Sequence, residues 1–280
     1  MTPAGNSSVA AANATYLALF QEFFGRGIPG ITNIIAQDVQ VPGSSLKVPV
    51  ATTFPLLEQW YGDKVFKTLR QYMFEIGIVS YEASLKLKRL IVDTDQTGTI
   101  EQQMRSFMGS QVPQMDRLVV SKLLANPTGY DGVALGSNSH PHSSSTGDNL
   151  TADALSLGAV RAMDIQMRGF KSEDGEPWDV TPNVLLVGHS NQDVALEIAG
   201  ADRPIYFDNT GASAAAGVVG GVVIDNVTTG KYSVVVSPRL GAQWFLIDTT
   251  KAGLRPIVTG THRSLEHYME IGRASCRERV

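Results

Sequence analysis

The residues of this sequence most suited to chemistry lie at Leu185–Ser190, where an apolar run leads into Gly-His-Ser. A strand followed by Gly-x-Ser-x-Gly forms the sharp turn that presents a nucleophilic serine, and Asp248 and His262 follow in the chain order that the acid and the base would need. The second glycine of that motif is replaced by Gln192, whose side chain would crowd the turn beside the following helix. A serine hydrolase using Ser190 is therefore kept only as an alternative.

Three other groups look chemical but have simpler interpretations. His140 and His142 flank a proline in a Ser-rich stretch without a second ligand pair, so an exposed loop is favoured over a metal site. Gly217–Gly221 lacks the Lys-Ser/Thr ending of a phosphate-binding loop. Asp93 and Asp95 fit a solvated surface, or a salt bridge to a neighbouring subunit, better than acid/base work. The sequence predicts no catalytic, cofactor-binding or metal-binding residue, and no cofactor.

Composition limits the class of protein. The 280 residues are 43% hydrophobic with a net charge of -4, which is enough to bury a core in one large domain or two ordinary ones. No Lys/Arg run indicates dedicated nucleic-acid binding, so any contact with DNA is expected to be non-specific. No apolar stretch approaches the roughly 20 residues that cross a bilayer, and residues 1–14 lack a secretory signal. We expect a protein made and used in a cytoplasm, without membrane contact.

The last residues of the chain need a separate explanation. Residues 270–280 back-translate with ordinary codons into a sequencing-adapter stem that contains GATCGGAAGAGC, so we interpret them as adapter read-through and exclude them from the fold. We expect the natural protein to continue past Met269. The single cysteine, Cys276, excludes an intrachain disulfide framework and a cysteine-based metal site.

The first third of the chain predicts a helix, an arm and a ribbon. Apolar residues at helical spacing predict a helix over Asn13–Phe24, and the prolines and valines of Ile31–Pro55 indicate an extended arm. Alternation over Met73–Val92 predicts two paired strands, with Phe74, Ile76 and Ile78 on one face of the first and Ala83, Leu85 and Leu87 on one face of the second. An isolated two-stranded ribbon is marginal in water, so this one should need another surface, which points to oligomerisation.

The middle of the chain predicts one long helix over Thr99–Ala125, about 40 Å at 1.5 Å per residue. Thr99 and Gln102 have the spacing of a capping box, Pro113 must kink or split the helix, and Asn126 with Pro127 ends it. Its methionines are interpreted as a core face: Met104, Met108 and Met115.

The remaining segments predict an α+β domain. A surface loop is expected over Gly129–Asn149, with a turn at Thr229-Gly230. The predicted helices and strands are the helices Thr151–Arg168 and Gln192–Ala199 and the strands Val184–Val187, Val222–Ile224, Tyr232–Val236 and Trp244–Ile247.

Three blocks of sequence resemble the Mu-like prophage major head subunit family (gpT-type). Phe54–Val65, reading Phe-Pro-Leu-Leu-Glu-Gln-Trp-Tyr-Gly-Asp-Lys-Val, is similar to the family's block before its extended loop, and Tyr81-Glu-Ala-Ser84 through Asp93 is similar to the block at the loop's return. Val234–Pro238 with Ala242–Thr249 is similar to the family's late strand pair, and it is the most specific of the three.

The resemblance implies the Hong Kong 97-like fold of tailed-phage major capsid proteins, within an α+β class. Its parts would be an N-terminal helix and arm at 1–53, an anchoring segment and extended β-hairpin loop at 54–98, a spine helix with the peripheral domain at 99–150, and a C-terminally truncated axial domain at 151–269. It implies hexamers and pentamers in an icosahedral shell around double-stranded DNA, with scaffold, protease, portal and decoration proteins as partners. A scaffold or decoration role for this chain is the other alternative. Some capsids of this fold crosslink a loop lysine, and Lys86 or Lys88 would be the candidate, although an exposed lysine is more often a solvated charge.

Overall fold

The structure is a computed structural model that describes residues 5–24, 30–51, 59, 62, 71–86, 98–141, 148–172, 175–200, 205–207, 221–223, 228–251, 255–262 and 266. In chain order its elements are α1 (Gly5–Phe24), α2 (Ile31–Ile35), β1 (Ala36–Gln40), β2 (Ser45–Ala51), β3 (Gln71–Gly77), α3 (Thr99–Gln111), α4 (Gln114–Ala125), α5 (Leu157–Arg168), β4 (Val184–Gly188), a 3-10 turn (His189–Asn191), α6 (Gln192–Gly200), β5 (Ile205–Phe207), β6 (Gly221–Val223), β7 (Ser233–Ser237), β8 (Trp244–Ile247) and β9 (Ile257–Thr261). This mixture of helices and strands agrees with the α+β prediction.

A three-stranded sheet forms the centre of the described structure. Its middle strand is β4, which runs parallel to β7 and antiparallel to β8. Leu186 faces a cluster that includes α4 residues such as Val120, while Leu185 faces a second cluster that includes Val160 of α5 and Ile198 of α6. Because successive side chains of a strand point to opposite faces, an unbroken apolar run fits a strand that is covered on both sides. The predicted buried strand, its two neighbours and the helix after it are confirmed.

The long central helix is divided where the sequence places a proline. α3 ends at Gln111, and α4 begins at Gln114 after Pro113, whose carbonyl oxygen accepts a bond of 3.0 Å from the Arg117 amide. A proline lacks the amide hydrogen that would continue the ladder, so the predicted split is confirmed. Asn126 then adopts the left-handed conformation, with φ of 47°, and ends α4 as predicted.

The predicted capping box at the start of this helix is wrong. Thr99 is already the first helical residue, and the cap position belongs to Gly98, which has a φ of 71° and makes no side-chain cap bond. The Gln102 amide donates to the Gly98 carbonyl at 3.2 Å. A left-handed entry of this kind suits glycine, and the local pattern of Thr and Gln does not reveal it.

The methionine face of α3 packs on the N-terminal helix. Met104 is 2% exposed and lies in a cluster with Ile100 of α3 and Leu19 of α1, flanked by Tyr16 and Phe23. Met108 is also buried and Met115 is half-buried, in line with the predicted core face. The helix predicted over Asn13–Phe24 is confirmed, and it begins earlier, at Gly5.

The arm after α1 is tied to the body by polar contacts at its start. Asp116 Oδ1 in α4 accepts bonds from the amide and hydroxyl of Thr32, at 2.9 and 2.7 Å. A Cβ on Gly30 would lie 2.5 Å from the other oxygen of Asp116, so a larger residue there would displace this carboxylate from its bonds to Thr32. Arg255 Nη1 donates to the carbonyl oxygens of Asn33 and Ala36, at 2.7 and 2.8 Å. The predicted extended arm therefore begins with the short helix α2, and becomes extended at β1.

The pairing of the two arm strands is set by distant parts of the chain. β1 pairs in parallel with β9, in the register Ala36 to Ile257 through Gln40 to Thr261. β2 pairs antiparallel with β3, in the register Ser45 to Gly77 through Ala51 to Gln71. We call the β2 and β3 pair the ribbon.

The predicted hairpin over Met73–Val92 needs correction. Its first strand is confirmed as part of β3, but the partner of β3 is β2 of the arm. Residues 78–86 carry no strand, so Ala83 and Leu85 are not in one, and 87–92 lie outside the described residues. Alternation identifies a strand but not its partner, because pairing is decided by whichever segment the fold brings alongside.

Two further boundaries are set by caps and turns. The helix predicted to begin at Thr151 begins at Leu157, because Ser156 accepts a bond from the Ala159 amide at 3.1 Å and caps it. The predicted turn at Thr229-Gly230 is confirmed, with a φ of 70° at Gly230. The strand predicted over Val222–Ile224 is found as β6, one residue earlier, and it pairs with β5.

Candidate assembly surface

The exposed apolar side chains of the described residues are concentrated in one segment. Six of the fourteen large hydrophobic side chains that are exposed there fall within residues 72–86, which we call the exposed segment: Tyr72, Met73, Phe74, Val79, Tyr81 and Leu85. Apolar exposure concentrated in one stretch of the chain marks an interaction site more often than scattered single residues do. The segment is therefore the main candidate for a functional surface.

The ribbon that begins the segment has two different faces. Leu46 stands opposite Ile76 and Val48 stands opposite Phe74, so these four apolar residues lie on one face. Lys47 stands opposite Glu75 on the other face, where the Ser45 hydroxyl donates to Glu75 at 2.5 Å. The period of two along each strand thus separates an apolar face from a more polar one.

The ribbon touches the body at each of its ends. Leu46 lies close to Gly260 of β9, where an added Cβ would be 3.3 Å from a Leu46 methyl group. At the other end the rings of Tyr72 and Tyr130 lie 5.7 Å apart and are tilted by 46°. Between these points Phe74 remains 36% exposed. The apolar face is only partly covered by its own chain.

The part of the segment after β3 is the most open. Residues 79–86 are all exposed and belong to no helix or strand. Val79 is 66% and Tyr81 is 62% exposed. Lys86 is exposed here, while Lys88, Asp93 and Asp95 lie outside the described residues. The described residues therefore leave Val79, Tyr81 and Leu85 exposed among polar neighbours.

The serine, acid and base that the sequence offers are held separately by their own backbone contacts. Ser190 Oγ donates to the carbonyl oxygen of Gly241 at 2.7 Å, and His262 Nδ1 lies 2.7 Å from the carbonyl oxygen of Val41. The carboxylate of Asp248 accepts from the amides of Thr181 and Thr250, each at 2.8 Å. Neither the serine nor the histidine is engaged with the next member of a catalytic relay, so this geometry gives no support to a serine nucleophile.

The electrostatics of Asp248 fit a structural cap. Burial by itself raises the pKa of this carboxyl, but the hydrogen bonds from Thr250 and Thr181 and the charge of Lys251 outweigh it, so that the pKa is lowered. The glycine of Gly188-His-Ser serves close packing, because a Cβ there would lie 1.7 Å from the Gly241 carbonyl oxygen.

The remaining chemical candidates do not form a site among the described residues. Nδ1 of His140 lies 2.6 Å from Asp131 Oδ2 and Nε2 lies 3.1 Å from the Leu135 carbonyl oxygen, so both ring nitrogens already face protein oxygen atoms. His142 and Gly217–Gly220 lie outside the described residues, and Gly221 opens β6. Within the described ranges no three His, Cys, Asp or Glu side chains are grouped to hold a metal ion.

A comparison with protein families decides the class. The sequence matches the family model described as "Phage capsid protein" over residues 75–269, which is more than half of the chain. The chain belongs to the phage capsid protein family. Capsid proteins are components of the virion and have a structural role, which agrees with the exposed apolar segment and with the dispersed Ser190, Asp248 and His262. The match begins inside β3 and includes the exposed segment from Glu75 onward.

Solved structures of bacteriophage JBD30 share the fold of this capsid-family chain. The "Procapsid of bacteriophage JBD30 computed in I4 symmetry" is 18% identical with a TM-score of 0.62, covering 86% of this chain and all of that one. The "Bacteriophage JBD30 capsid" is 17% identical with a TM-score of 0.60, covering 76% of this chain and 91% of that one. A third is titled "Capsid of bacteriophage JBD30 decorated with minor capsid protein trimers computed in I4 symmetry" and is 18% identical with a TM-score of 0.58, covering 76% and 91%. No curated protein matches the sequence.

Two features of the site escape a reading of the sequence. The contact of Tyr72 with Tyr130 joins the ribbon to a loop 58 positions away, and no local pattern encodes it. The apolar alternation around Phe74 indicates a strand, but it does not show which strand pairs with it.

Among the described helices, none combines the length and apolar character that a membrane span requires.

Proposed function

We propose that this chain is the major capsid subunit of a tailed phage of the Mu-like type, with the Hong Kong 97-like arrangement of arm, extended loop, spine helix and axial domain at the boundaries given above. The observation that carries the proposal is the exposed segment, where Phe74, Val79 and Tyr81 present apolar surface that the described parts of the chain leave open. A capsid subunit that closes a shell needs such a surface on every copy.

The mechanism of assembly is burial of this segment against neighbouring copies. Fully burying a side chain such as Phe or Val contributes about 1.5–3 kcal/mol, and the burial of several such side chains must together exceed the cost of association, about 4–15 kcal/mol. In hexamers and pentamers each subunit gives and receives the same contact, and a closed shell multiplies it over all copies. The contact between two neighbouring subunits can therefore be weak while the complete shell is stable.

The partners follow from the same proposal. The chain encloses double-stranded DNA through non-specific contacts, which suits a net charge of -4 without a basic stripe. Assembly takes place in the host cytoplasm with scaffold, protease and portal proteins. A JBD30 capsid structure is titled as decorated with minor capsid protein trimers, and we propose decoration proteins as partners of this shell also.

Imaging tests the proposal directly. A full-length homologue, expressed in bacteria and purified, is expected to form closed icosahedral shells by electron microscopy. Soluble monomers that bind only to preformed phage shells would instead support a decoration protein. An ester hydrolysis that Ser190→Ala abolishes would support the hydrolase alternative.

A pair of variants tests the role of the ribbon. Phe74→Ser removes a partly exposed side chain from the apolar face, whereas Lys47→Ser changes an exposed residue on the opposite face. Phe74 is 36% exposed, so assembly can bury about a third of this side chain, which is about 0.5–1 kcal/mol per contact. Phe74→Ser should therefore raise the protein concentration needed for assembly by roughly twofold to fivefold. Lys47→Ser is expected to assemble like the parent chain. Equal assembly by both variants, with unchanged thermal unfolding, would contradict the proposed contact.

A further inference from the structure

The helix α2 is too short to be stable by itself. It has five residues, Ile31–Ile35, whereas isolated helices shorter than about 12–15 residues are marginal in water. A helix of this length leaves almost all of its first amides and last carbonyls without a partner inside the helix. Its N-cap residue, Gly30, makes no side-chain cap bond. The groups that stabilise α2 must therefore come from elsewhere in the chain.

A carboxylate of the body provides the acceptor at the start of α2. Asp116 of α4, 84 positions away, accepts bonds from the amide and the hydroxyl of Thr32 through Oδ1, at 2.9 and 2.7 Å. An N-cap side chain normally offers such an oxygen from within the same helix. A Cβ on Gly30 would lie 2.5 Å from Oδ2 of Asp116, so a side chain at that position would displace the carboxylate. Asp116 therefore caps α2 from another helix.

A guanidinium provides the donor at the other end of α2. Nη1 of Arg255, just before β9, donates to the carbonyl oxygens of Asn33 and Ala36, at 2.7 and 2.8 Å, and lies 3.3 Å from that of Ile34. The last carbonyls of a helix lack a partner inside it, and basic side chains commonly satisfy them. Hydrogen bonds with one charged member are roughly twice as strong as neutral ones. Arg255 is therefore a second cap that α2 receives from a distant segment.

The placement of α2 determines the path of the chain that follows. Ile35 is 0% exposed, within the cluster that α4 shares with the central sheet, and β1 begins at the next residue, Ala36. β1 then pairs with β9. A Cβ added to Gly260 of β9 would lie 2.9 Å from a Val41 methyl group and 3.3 Å from a Leu46 methyl group. The base of the ribbon thus packs against the strand beside which α2 places the arm.

We propose that Asp116 and Arg255 are positioning residues of the arm, which make α2 helical only where the arm lies against the body and thereby fix the base of the ribbon. Both caps are needed, so the loss of either one melts the helix and leaves the other without its contact. These contacts lie within one subunit, and only their use in presenting the ribbon to a neighbouring copy rests on the proposed function.

Hydrogen exchange of the full chain tests the two caps. The Ala36 amide, which donates to the carbonyl of the first turn, reports on α2, and the Val41 amide, bonded to β9 at 2.9 Å, reports on the end of the arm strand. Asp116→Ala and Arg255→Gln should each speed exchange at both amides by about tenfold or more, because each removes bonds to a charged group. The Gly188 amide of the central sheet should exchange as in the parent chain. Unchanged exchange at Ala36 in both variants would overturn the proposal.

Matched variants separate the caps from general loosening. Gly30→Ala displaces the carboxylate without changing α4, so it should speed Ala36 exchange in the same direction as Asp116→Ala. Arg255→Lys keeps a charged donor and should retain part of the protection that Arg255→Gln loses. Asp38→Asn changes an exposed carboxylate of the arm that contacts the hydroxyls of β9 and not α2, and Ala36 should then exchange as in the parent. A faster Ala36 in Asp38→Asn alone would place the control of α2 elsewhere.

The double variant decides whether the two caps act through one helix. Asp116→Ala combined with Arg255→Gln should exchange at Ala36 about as fast as the faster single variant, because the first change has already melted α2. Two independent contacts would instead multiply to about a hundredfold, and that result would contradict the proposal. The exchange is measured on unassembled subunits, so a parent chain that forms no shells would count against the proposed function alone.

Discussion

The central sheet and the exposed segment both contain large apolar side chains, but these end in opposite environments. β4 has a strand on each side and apolar clusters on both faces, and Leu185 and Leu186 are 0% exposed. β3 has one partner strand, and its Met73 is 65% exposed. β4 is apolar throughout and β3 also contains Gln71 and Glu75, yet both strands carry large apolar side chains. The difference is whether the covering layer belongs to the same chain, and this separates residues that stabilise the fold from residues free to contact another molecule.

The largest effect on folding is expected at the centre of the sheet. Leu186→Ala removes a side chain that is buried among Val184, Val120 and Ile247, and the cavity should lower the free energy of unfolding by about 2–5 kcal/mol. Urea denaturation followed by circular dichroism measures this change. Met73→Ala in the ribbon is the matched comparison, with an expected change below about 1 kcal/mol because the side chain is exposed. Similar decreases in the free energy of unfolding for Leu186→Ala and Met73→Ala would show that the ribbon contributes to folding as much as the central sheet does.

A second effect on the sheet comes from backbone crowding. Gly188→Ala would place a Cβ 1.7 Å from the Gly241 carbonyl oxygen, so that either the 3-10 turn or the 241 segment must move. We expect a loss of about 1–3 kcal/mol or more in the free energy of unfolding, from the same denaturation experiment. Gly200→Ala, where an added Cβ meets no atom within 4 Å, should be neutral or slightly stabilising. An unchanged free energy of unfolding for Gly188→Ala would show that Gly188 and the Gly241 backbone are not closely packed in solution.

A smaller change in the free energy of unfolding is expected when polar contacts of the two regions are altered. Asp248→Asn at the end of β8 replaces an acceptor of the Thr181 and Thr250 amides, and should cost about 1 kcal/mol at pH 7. Because the pKa of Asp248 is lowered, its contribution is present above the ordinary carboxyl value of about 3.9 and is lost as the pH falls through the folded value. The difference from the parent chain should shrink in acid, as measured by denaturation from pH 7 to pH 3.

The matched change for this experiment lies in the ribbon. Glu75→Gln alters the exposed acceptor of the Ser45 hydroxyl, and we expect less than about 0.5 kcal/mol at any pH. A larger effect at Glu75 than at Asp248 would mean that the ribbon contributes to folding as much as the sheet does.

The smallest effect on folding is expected in the most open part of the segment. Tyr81→Ser should change the free energy of unfolding by less than about 0.5 kcal/mol, since Tyr81 is 62% exposed. Its effect should appear in assembly, as fewer shells by light scattering and electron microscopy. Glu82→Ser, at the next exposed position, is the control and should assemble normally. Equal assembly defects in both would point to the backbone of the segment and not to its apolar side chains.

Sequence patterns succeeded where one short stretch contains the whole physical reason. Pro113 divides the helix because it lacks an amide hydrogen, and Val184–Val187 is a buried strand because every residue is apolar. The patterns failed where neighbouring signals compete, and where a second stretch takes part. The helix start at Thr99 depends on the left-handed Gly98, and the start at Leu157 depends on a serine cap that competes with earlier candidates.

The candidate site shows the same division. Alternation around Phe74 predicted a strand that needs a covering surface, but the partner strand came from the arm. The serine, acid and base candidates could be weighed only by motif, and the structure places each on a different backbone contact, with Ser190 on Gly241 and His262 on Val41. The contact of His140 with Asp131 was not predicted, because a histidine and an aspartate nine residues apart have no characteristic spacing.

The sequence by itself determined the periodicity, the breaks and the apolar runs of this chain, because these depend on the backbone and side-chain properties of neighbouring residues. Only the tertiary structure decided that β1 pairs with β9, that β2 covers one edge of β3, and that residues 79–86 remain open. These pairings depend on the relative free energies of contacts between distant segments, and each segment alone is compatible with several partners.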